Sequence, residues 1–242
     1  VMALRGHRVV LCEKKARLGG QVNLAVIPPH KEELQNLLDY LVSQLETLKV
    51  RTCLGTEATA DTVEQEKPDA VILATGARPL IPEIPGLSRE RIFTPEEALE
   101  QSRPMGERIL VIGGGMVGCE VAEYLAGKGK RVTIVEKLPE IAPGMDGSTR
   151  RLLLERLNRL SVRMITGAEV LSLLGEKAIL RQAGERVEVE TEGIVAAMGA
   201  AADRAGEDFR SSGLPFYAVG DCAGVRDIAA AIQEGFAAAM EI

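Results

Sequence analysis

Gly113, Gly115 and Gly118, spaced as Gly-x-Gly-x-x-Gly, and Glu136, 18 residues beyond the last of them, suit one kind of chemistry, the gripping of a pyrophosphate and a ribose. Gly113 permits a tight turn, Gly115 lets the backbone approach the pyrophosphate, and Gly118 allows a helix to pack close to a strand. A helix N-terminus at this point, with Met116 and Val117 in its first turn, offers unpaired N–H groups and a partial positive charge to the phosphates. Glu136 stands where a carboxylate accepts hydrogen bonds from the adenosine ribose hydroxyls, and its charge repels a 2′-phosphate. NADH is therefore expected over NADPH, a preference that Lys137 next door softens. The elements that must position these residues are legible around them. Ile109 to Ile112 is a β-branched buried strand, Val117, Val121 and Leu125 fall at helical spacing, and a second strand ends at Glu136.

This unit occurs twice. "ALRGHRVVLCEK" (3–14) aligns without gaps to "AGKGKRVTIVEK" (126–137), an offset of 123. "VRTCLGTE" (50–57) matches "VRMITGAE" (162–169) at 112, and "DAVILATGA" (69–77) matches "EGIVAAMGA" (192–200) at 123 again. Three matches in one order indicate two copies of a single nucleotide-binding unit. The copy that begins at residue 105 is complete. In the other, the counterparts of the three glycines fall ahead of Val1, so its phosphate loop and the strand before it are expected upstream, the chain being either a piece of a longer protein or a sequence that omits its start. Glu13 remains to hold a ribose with Lys14 beside it, Gly19-Gly20 makes a close-approach turn with Gln21, and Ala74-Thr75-Gly76 ends a buried strand. Between them, apolar residues at 34, 37, 38, 41, 45 and 48 predict a helix entered through Pro28 and Pro29.

Bulk properties exclude several classes. A net charge of −6 gives no basic field for a nucleic acid, and no apolar run approaches the roughly 20 residues needed to span a bilayer. A soluble, cytoplasmic protein is expected. Cys12, Cys53, Cys119 and Cys222 lie too far apart in sequence for metal-ligand spacing, so no metal site is predicted and buried free thiols are expected. His7, beside a turn, and His30, at a helix entry, read as surface histidines, and no nucleophile–base pair is found.

The chain resembles the two-dinucleotide-domain flavoproteins, the pyridine nucleotide-dependent oxidoreductases built like glutathione reductase. The resemblance rests on Glu13, Leu18-Gly19-Gly20-Gln21, Ala74-Thr75-Gly76-Ala77, Gly113 to Gly118 with Glu120, Glu136, Met198-Gly199, and "YAVGDC" (217–222) followed by "AAIQEG" (230–235). It implies an α/β fold of two Rossmann-like, three-layer ββα/βαβ domains. Residues 1–104 and 203–242 would form a discontinuous FAD-binding domain lacking its N-terminal strand and phosphate loop, and residues 105–202 an inserted NAD(P)H-binding domain. It further implies that Gly220-Asp221 faces the FAD ribityl and pyrophosphate, and that Met198-Gly199 lines the NADH site. Within that family, "LGGQVNLAVIPPHKEEL" is similar to the flavin-side stretch of the NADH:flavin oxidoreductase, 2,4-dienoyl-CoA reductase and trimethylamine dehydrogenase group. Disulfide reductases carry a cysteine pair soon after Gly-Gly; Gln21, Val22 and Asn23 stand there instead, so no thiol relay is expected.

The implied reaction is hydride transfer from NADH to FAD and onward electron transfer, with the cofactors carrying the chemistry and no catalytic side chain required. In the resembled group a β/α barrel with FMN and an iron–sulfur cluster precedes this part, so those cofactors and that partner domain belong to the inferred parent. Without the first phosphate loop, about three charge-assisted N–H bonds worth roughly 1.5–3 kcal/mol each would be missing, and weak FAD retention by the isolated chain is expected. The lost strand should leave a gap, a rearranged sheet, or a place for a partner's strand, which leaves homo-oligomerisation open. A non-catalytic ADP- or NAD-binding module and a ferredoxin or rubredoxin reductase are the alternative readings.

Overall fold

Two stretches of β-branched residues, "RILVI" and "RVTIV", seed a parallel sheet whose central strands are buried on both faces, as parallel strands covered by other layers require. The computed structural model describes the backbone of residues 1–242 and every side chain except those of residues 207, 211 and 212. In chain order the elements are β1 (Val10–Glu13), α1 (Val22–Ala25), α2 (Glu33–Thr47), β2 (Arg51–Leu54), α3 (Ala60–Glu66), β3 (Val71–Leu73) and β4 (Ala77–Pro79). Then come β5 (Ile92–Phe93), α4 (Pro95–Leu99), β6 (Arg108–Ile112), α5 (Met116–Gly127), β7 (Arg131–Val135), α6 (Gly147–Arg159) and β8 (Arg163–Ile165). A meander of β9 (Ala168–Leu174), β10 (Lys177–Gln182) and β11 (Glu185–Glu190) precedes β12 (Gly193–Ala196) and β13 (Ala200–Ala202). The chain closes with β14 (Phe216–Ala218) and α7 (Ile228–Glu241). No helix among the described residues is long and apolar enough to cross a membrane.

Two compact units result, one of residues 1–26, 32–78 and 200–242, the other of 27–31 and 79–199. The second has three layers. Its parallel sheet runs β5-β12-β6-β7-β8, and the antiparallel β9-β10-β11 sheet covers one face. Leu110, Ile112, Val135 and Ile194 of the parallel sheet pack there against Leu173, Ala178, Leu180 and Val189 of the meander. The helices supply a second set of buried side chains, among them Val121, Ala122 and Leu125 of α5 and Leu153 and Leu157 of α6. In the first unit the parallel strands form two separate pairs, β1 with β2 and β14 with β3, rather than one sheet. Its strands are only half-buried, and its core is small: Leu38, Leu73, Phe209, Val219, Cys222, Ala238 and Ala239.

The sequence repeat reappears as a repeat of hydrogen bonds. Thr56 N–H donates to Glu13 O at 2.9 Å, and Ala168 N–H to Glu136 O at 3.0 Å. Gly55 donates to Lys15 O as Gly167 does to Leu138 O, both at 2.9 Å. Gly6 to Ala3 and His7 to Met2 are copied by Gly129 to Ala126 and Lys130 to Leu125. Strand register follows the same offsets, since Val10 pairs with Arg51 and Thr133 with Arg163.

The compact units differ from the sequence-derived boundaries at residues 79–104, which sit with the second unit. β5 pairs in register with β12, Ile92 opposite Ile194 and Phe93 opposite Val195, and α4 buries Ala98 and Leu99. Such pairing joins residues about a hundred positions apart and leaves no local signal. Residues 200–202 go with the first unit, because β13 pairs with β4. Residues 27–31 join the second unit through Lys31 to Glu120 at 2.6 Å and His30 to Glu123 at 3.9 Å.

Candidate dinucleotide sites

In the second unit, Gly113 to Gly115 is the turn between β6 and α5, and each glycine answers to its surroundings. A Cβ on Gly113, at φ +104°, would lie 2.2 Å from Ala197 O, and one on Gly118 would lie 2.0 Å from Gly113 O. Gly114, which the motif treats as a free position, is confined too, though by side chains rather than backbone, with Ile141 Cδ1 2.7 Å and Glu136 Cβ 2.9 Å from its added Cβ. Gly115 is the exception, for nothing lies within 4 Å of a Cβ there. The space over Gly115 is thus open, as a pyrophosphate approaching the backbone requires. Gly115 is also the N-cap of α5, and no side chain caps that helix, although its first N–H groups have no intrahelical acceptors. Met116 and Val117 are half-exposed at the first turn, and Met198 is half-exposed beyond β12, so apolar side chains rim the turn. Gly199 follows at φ +99°, and its carbonyl accepts Leu80 N–H at 3.0 Å.

Glu136 reaches back under this turn. Its Oε2 accepts Gly114 N–H at 2.6 Å and its Oε1 accepts Leu138 N–H at 2.7 Å, and the residue is buried. The acid that the motif assigns to a ribose therefore also clamps the loop to the end of β7. Behind the loop, the Cys119 thiol faces Gly114 O at 3.5 Å, and burial pushes its pKa up to about 12. Lys137, Glu169 and Arg181 lie on the outside. Glu169 Oε1 meets Lys137 Nζ at 3.2 Å and its Oε2 meets Arg181 Nη2 at 2.7 Å, and these partners, Lys137 first, hold its carboxyl below the usual range.

The first unit gathers its own candidates. Glu13 Oε1 accepts Lys15 N–H at 2.7 Å, the bond that Glu136 makes to Leu138 in the other copy, and Lys14 is exposed beside it. Gly19 at φ +113° would drive a Cβ to 2.6 Å from Asn23 Nδ2, while Gly20 at φ +48° opens to free space. Gln21 Nε2 lies 3.4 Å from Asp221 Oδ2 and 3.5 Å from where a Gly76 Cβ would stand, so Gln21, Gly76 and Asp221 meet. Ala74 and Thr75 are exposed past the end of β3, the Thr75 hydroxyl donates to Asp203 O, and Gly220 N–H donates to Glu234 Oε2 at 2.7 Å.

Several positioning residues escaped the sequence reading. Asn23 Nδ2 donates to Leu18 O at 2.9 Å and Gly20 O at 3.3 Å and so holds the glycine turn, a habit of asparagine that could have flagged it. Asp203 is buried, accepts Ala205 N–H at 3.1 Å, and pairs with Arg78 at 2.9 Å, which draws its carboxyl below the usual range. Nothing in the alanine-rich stretch around it signals that role. Of the cysteines, all free, Cys119 and Cys222 are buried as expected, while Cys12 and Cys53 are half-buried partners in register on β1 and β2. Among the described residues no group of three or more His, Cys, Asp or Glu could hold a metal ion.

Known proteins are similar along nearly the whole of this chain. A bilirubin reductase of Mediterraneibacter gnavus is 36% identical over 244 residues, covering 99% of this chain and 38% of that protein. An NADH oxidase of Thermoanaerobacter brockii is 35% identical over 248 residues, again 99% of this chain and 38% of the other. A solved structure of 2-naphthoyl-CoA reductase superposes with a TM-score of 0.94 at 30% identity, covering all of this chain and 37% of that one. The chain thus spans about two fifths of the length of the relatives it matches. Residues 2–235 fit the pyridine nucleotide-disulphide oxidoreductase pattern, whose members use FAD and NAD(P)H. The glycine turn of the second unit, the strand-and-acid pattern that both units share, and above all this match over nearly the whole length make the chain a member of the pyridine nucleotide-disulphide oxidoreductase family.

Proposed function

We propose that the second unit binds NADH, that the first binds FAD, and that the chain is the module through which a hydride passes from NADH to FAD. The observation that carries this is the open space over Gly115, set in a turn where the backbone leaves no room for a side chain at Gly113 and Gly118 and where α5 begins without a side-chain cap. When bound, the two cofactors supply the redox chemistry, since a reduced nicotinamide can give a hydride to a flavin. The protein's part is binding and orientation. The α5 N-terminus and the turn backbone face the pyrophosphate, Glu136 receives the ribose while fixing the turn, and Met116, Val117 and Met198 shield the nicotinamide end from water. In the first unit Glu13 and Lys14 take the FAD ribose end, Gly19, Gly20, Gln21 and Ala74 to Gly76 line its path, and Gly220 and Asp221 face the ribityl and pyrophosphate. His30 is held to Glu123, and no side chain is assigned a proton-transfer role.

We infer that the chain belongs to a longer protein, in which electrons continue to a partner domain carrying FMN and an iron–sulfur cluster, in the cytoplasm where NADH is supplied; the greater length of its relatives supports this. Two measurements test the reading. Titration of the chain with NADH, followed by nicotinamide fluorescence, should show saturable binding at a one-to-one ratio. Anaerobic mixing of the FAD-loaded full-length protein with NADH should bleach the flavin absorbance in a stopped-flow trace. NADH binding without bleaching would reduce the chain to a nucleotide-binding module, and no binding would overturn the site itself.

A further inference from the structure

Beside the ribose end of the second unit lies a small charge ladder that the hydride reaction does not use. Ala168 N–H is bonded to Glu136 O at 3.0 Å, so the next residue, Glu169, sits immediately outside the acid that closes β7. Lys137, one residue past Glu136, reaches Glu169 from one side at 3.2 Å. Arg181, directly opposite Glu169 in the β9–β10 register, reaches it from the other at 2.7 Å. Arg186 lies opposite Arg181 on β11. Two like charges facing each other across a ladder repel, and Glu169 is the carboxylate that Arg181 meets instead.

With the adenosine ribose at Glu136, the cation next to a 2′-phosphate in sequence is Lys137, and Glu169 joins Lys137 to Arg181. In dinucleotide folds the strand-end acid excludes that phosphate, and a nearby cation admits it. Here both kinds of group are present, so the outcome depends on whether the cations are available. We propose that Glu169 sets the coenzyme preference of this site: by occupying Lys137 and Arg181 it withholds both from a 2′-phosphate and keeps the site selective for NADH over NADPH. The inference rests on the second unit being a nicotinamide dinucleotide site. With Glu169 charged, Glu136, Lys137, Glu169 and Arg181 sum to zero. With Glu169 neutral the local charge becomes +1, and the flexible, largely exposed Lys137 is free to swing toward a phosphate.

The test is to measure dissociation constants for NADH and for NADPH by nicotinamide fluorescence on the 242-residue chain, comparing wild type, Glu169→Gln, Glu169→Ala and the double variant Glu169→Gln/Lys137→Met. Both single variants should tighten NADPH about tenfold while leaving NADH within about twofold, the scale of one charge acting through a wet surface. Adding Lys137→Met should cancel the gain, and about 0.5 M salt should shrink it. An unchanged NADPH-to-NADH ratio with NADH binding intact overturns the proposal and leaves the site reading standing. A parallel loss of both coenzymes in the two single variants also overturns it, since selectivity requires NADH to be unaffected. A wild-type chain that binds neither coenzyme refutes the site reading, and this inference with it.

Discussion

At Gly115 and Gly118 the same added methyl group would do opposite things. On Gly118 it would meet Gly113 O at 2.0 Å, backbone against backbone, and Gly118→Ala should destabilise the second unit by about 3 kcal/mol, at the upper end of overpacking costs. On Gly115 it would enter open space at φ −71°, a conformation alanine adopts without strain. Gly115→Ala should therefore cost less than about 1 kcal/mol of stability, the loss of a glycine N-cap, and weaken NADH binding about 10- to 100-fold, the worth of one charge-assisted N–H bond lost to a displaced pyrophosphate. Calorimetry beside a fluorescence titration separates the two, and equal effects at both positions would refute the division of labour. Cys119 gives the pH counterpart. Its native thiol keeps its proton up to about pH 12, whereas the unfolded thiol releases it near 9.0. The native state therefore binds the extra proton, and this contribution, intact below pH 9.0, declines as pH rises toward 12 by at most about 1.4 kcal/mol per pH unit. Urea unfolding at several pH values above 9.0 should show a shallower decline in Cys119→Ala than in wild type. The slope is the readout, because the lost packing shifts stability equally at every pH.

The helices of the second unit are finished differently at their N-termini. α4 opens with a capping box between Thr94 and Glu97 and Pro95 in its first turn, and α6 with Asp146 accepting Ser148 and Thr149 N–H, but α5 opens on Gly115 with no cap. Asp146→Ala should accordingly cost about 1 kcal/mol. Binding of ADP, by contrast, should slow amide exchange at residues 115–118 and leave the first turn of α6 unaffected. Equal protection of both turns would deny α5 its special role. The sequence shows this element well, because its signals are local. Three glycines, a run of β-branched residues and an acid at fixed spacing predict β6, α5 and β7, and the apolar spacing from Leu34 to Leu48 predicts α2. Two kinds of feature stay hidden. β5 and α4 belong to the second unit only through pairing with β12, and Lys31 docks on Glu120 through a contact that no spacing rule anticipates. The Glu136 clamp on Gly114 is hidden for another reason, since the motif names the acid for its ligand and says nothing of the turn beneath it.

Across the whole molecule the two copies share a hydrogen-bonding plan but differ in packing. β7 buries Val132, Ile134 and Val135, three of its five residues, whereas β1, its counterpart in the other unit, has no fully buried residue. Stability follows buried apolar area at roughly 25 cal/mol per Å², so the second unit should be much the more stable of the two. Units with separate cores need not unfold together. We expect two steps on heating, with amides of β1, β2 and β3 exchanging in the first and those of β6, β7 and β12 in the second. NADH at about a hundred times its dissociation constant should add about 2.7 kcal/mol to the second step, a rise of about 10 °C for a unit of this size, and leave the first in place. Calorimetry with and without NADH, read beside exchange measured peptide by peptide, checks both statements. One coincident transition, or a first step that NADH raises, would show that the copies stabilise each other, and the coenzyme would then have to be treated as a ligand of the whole chain rather than of one unit.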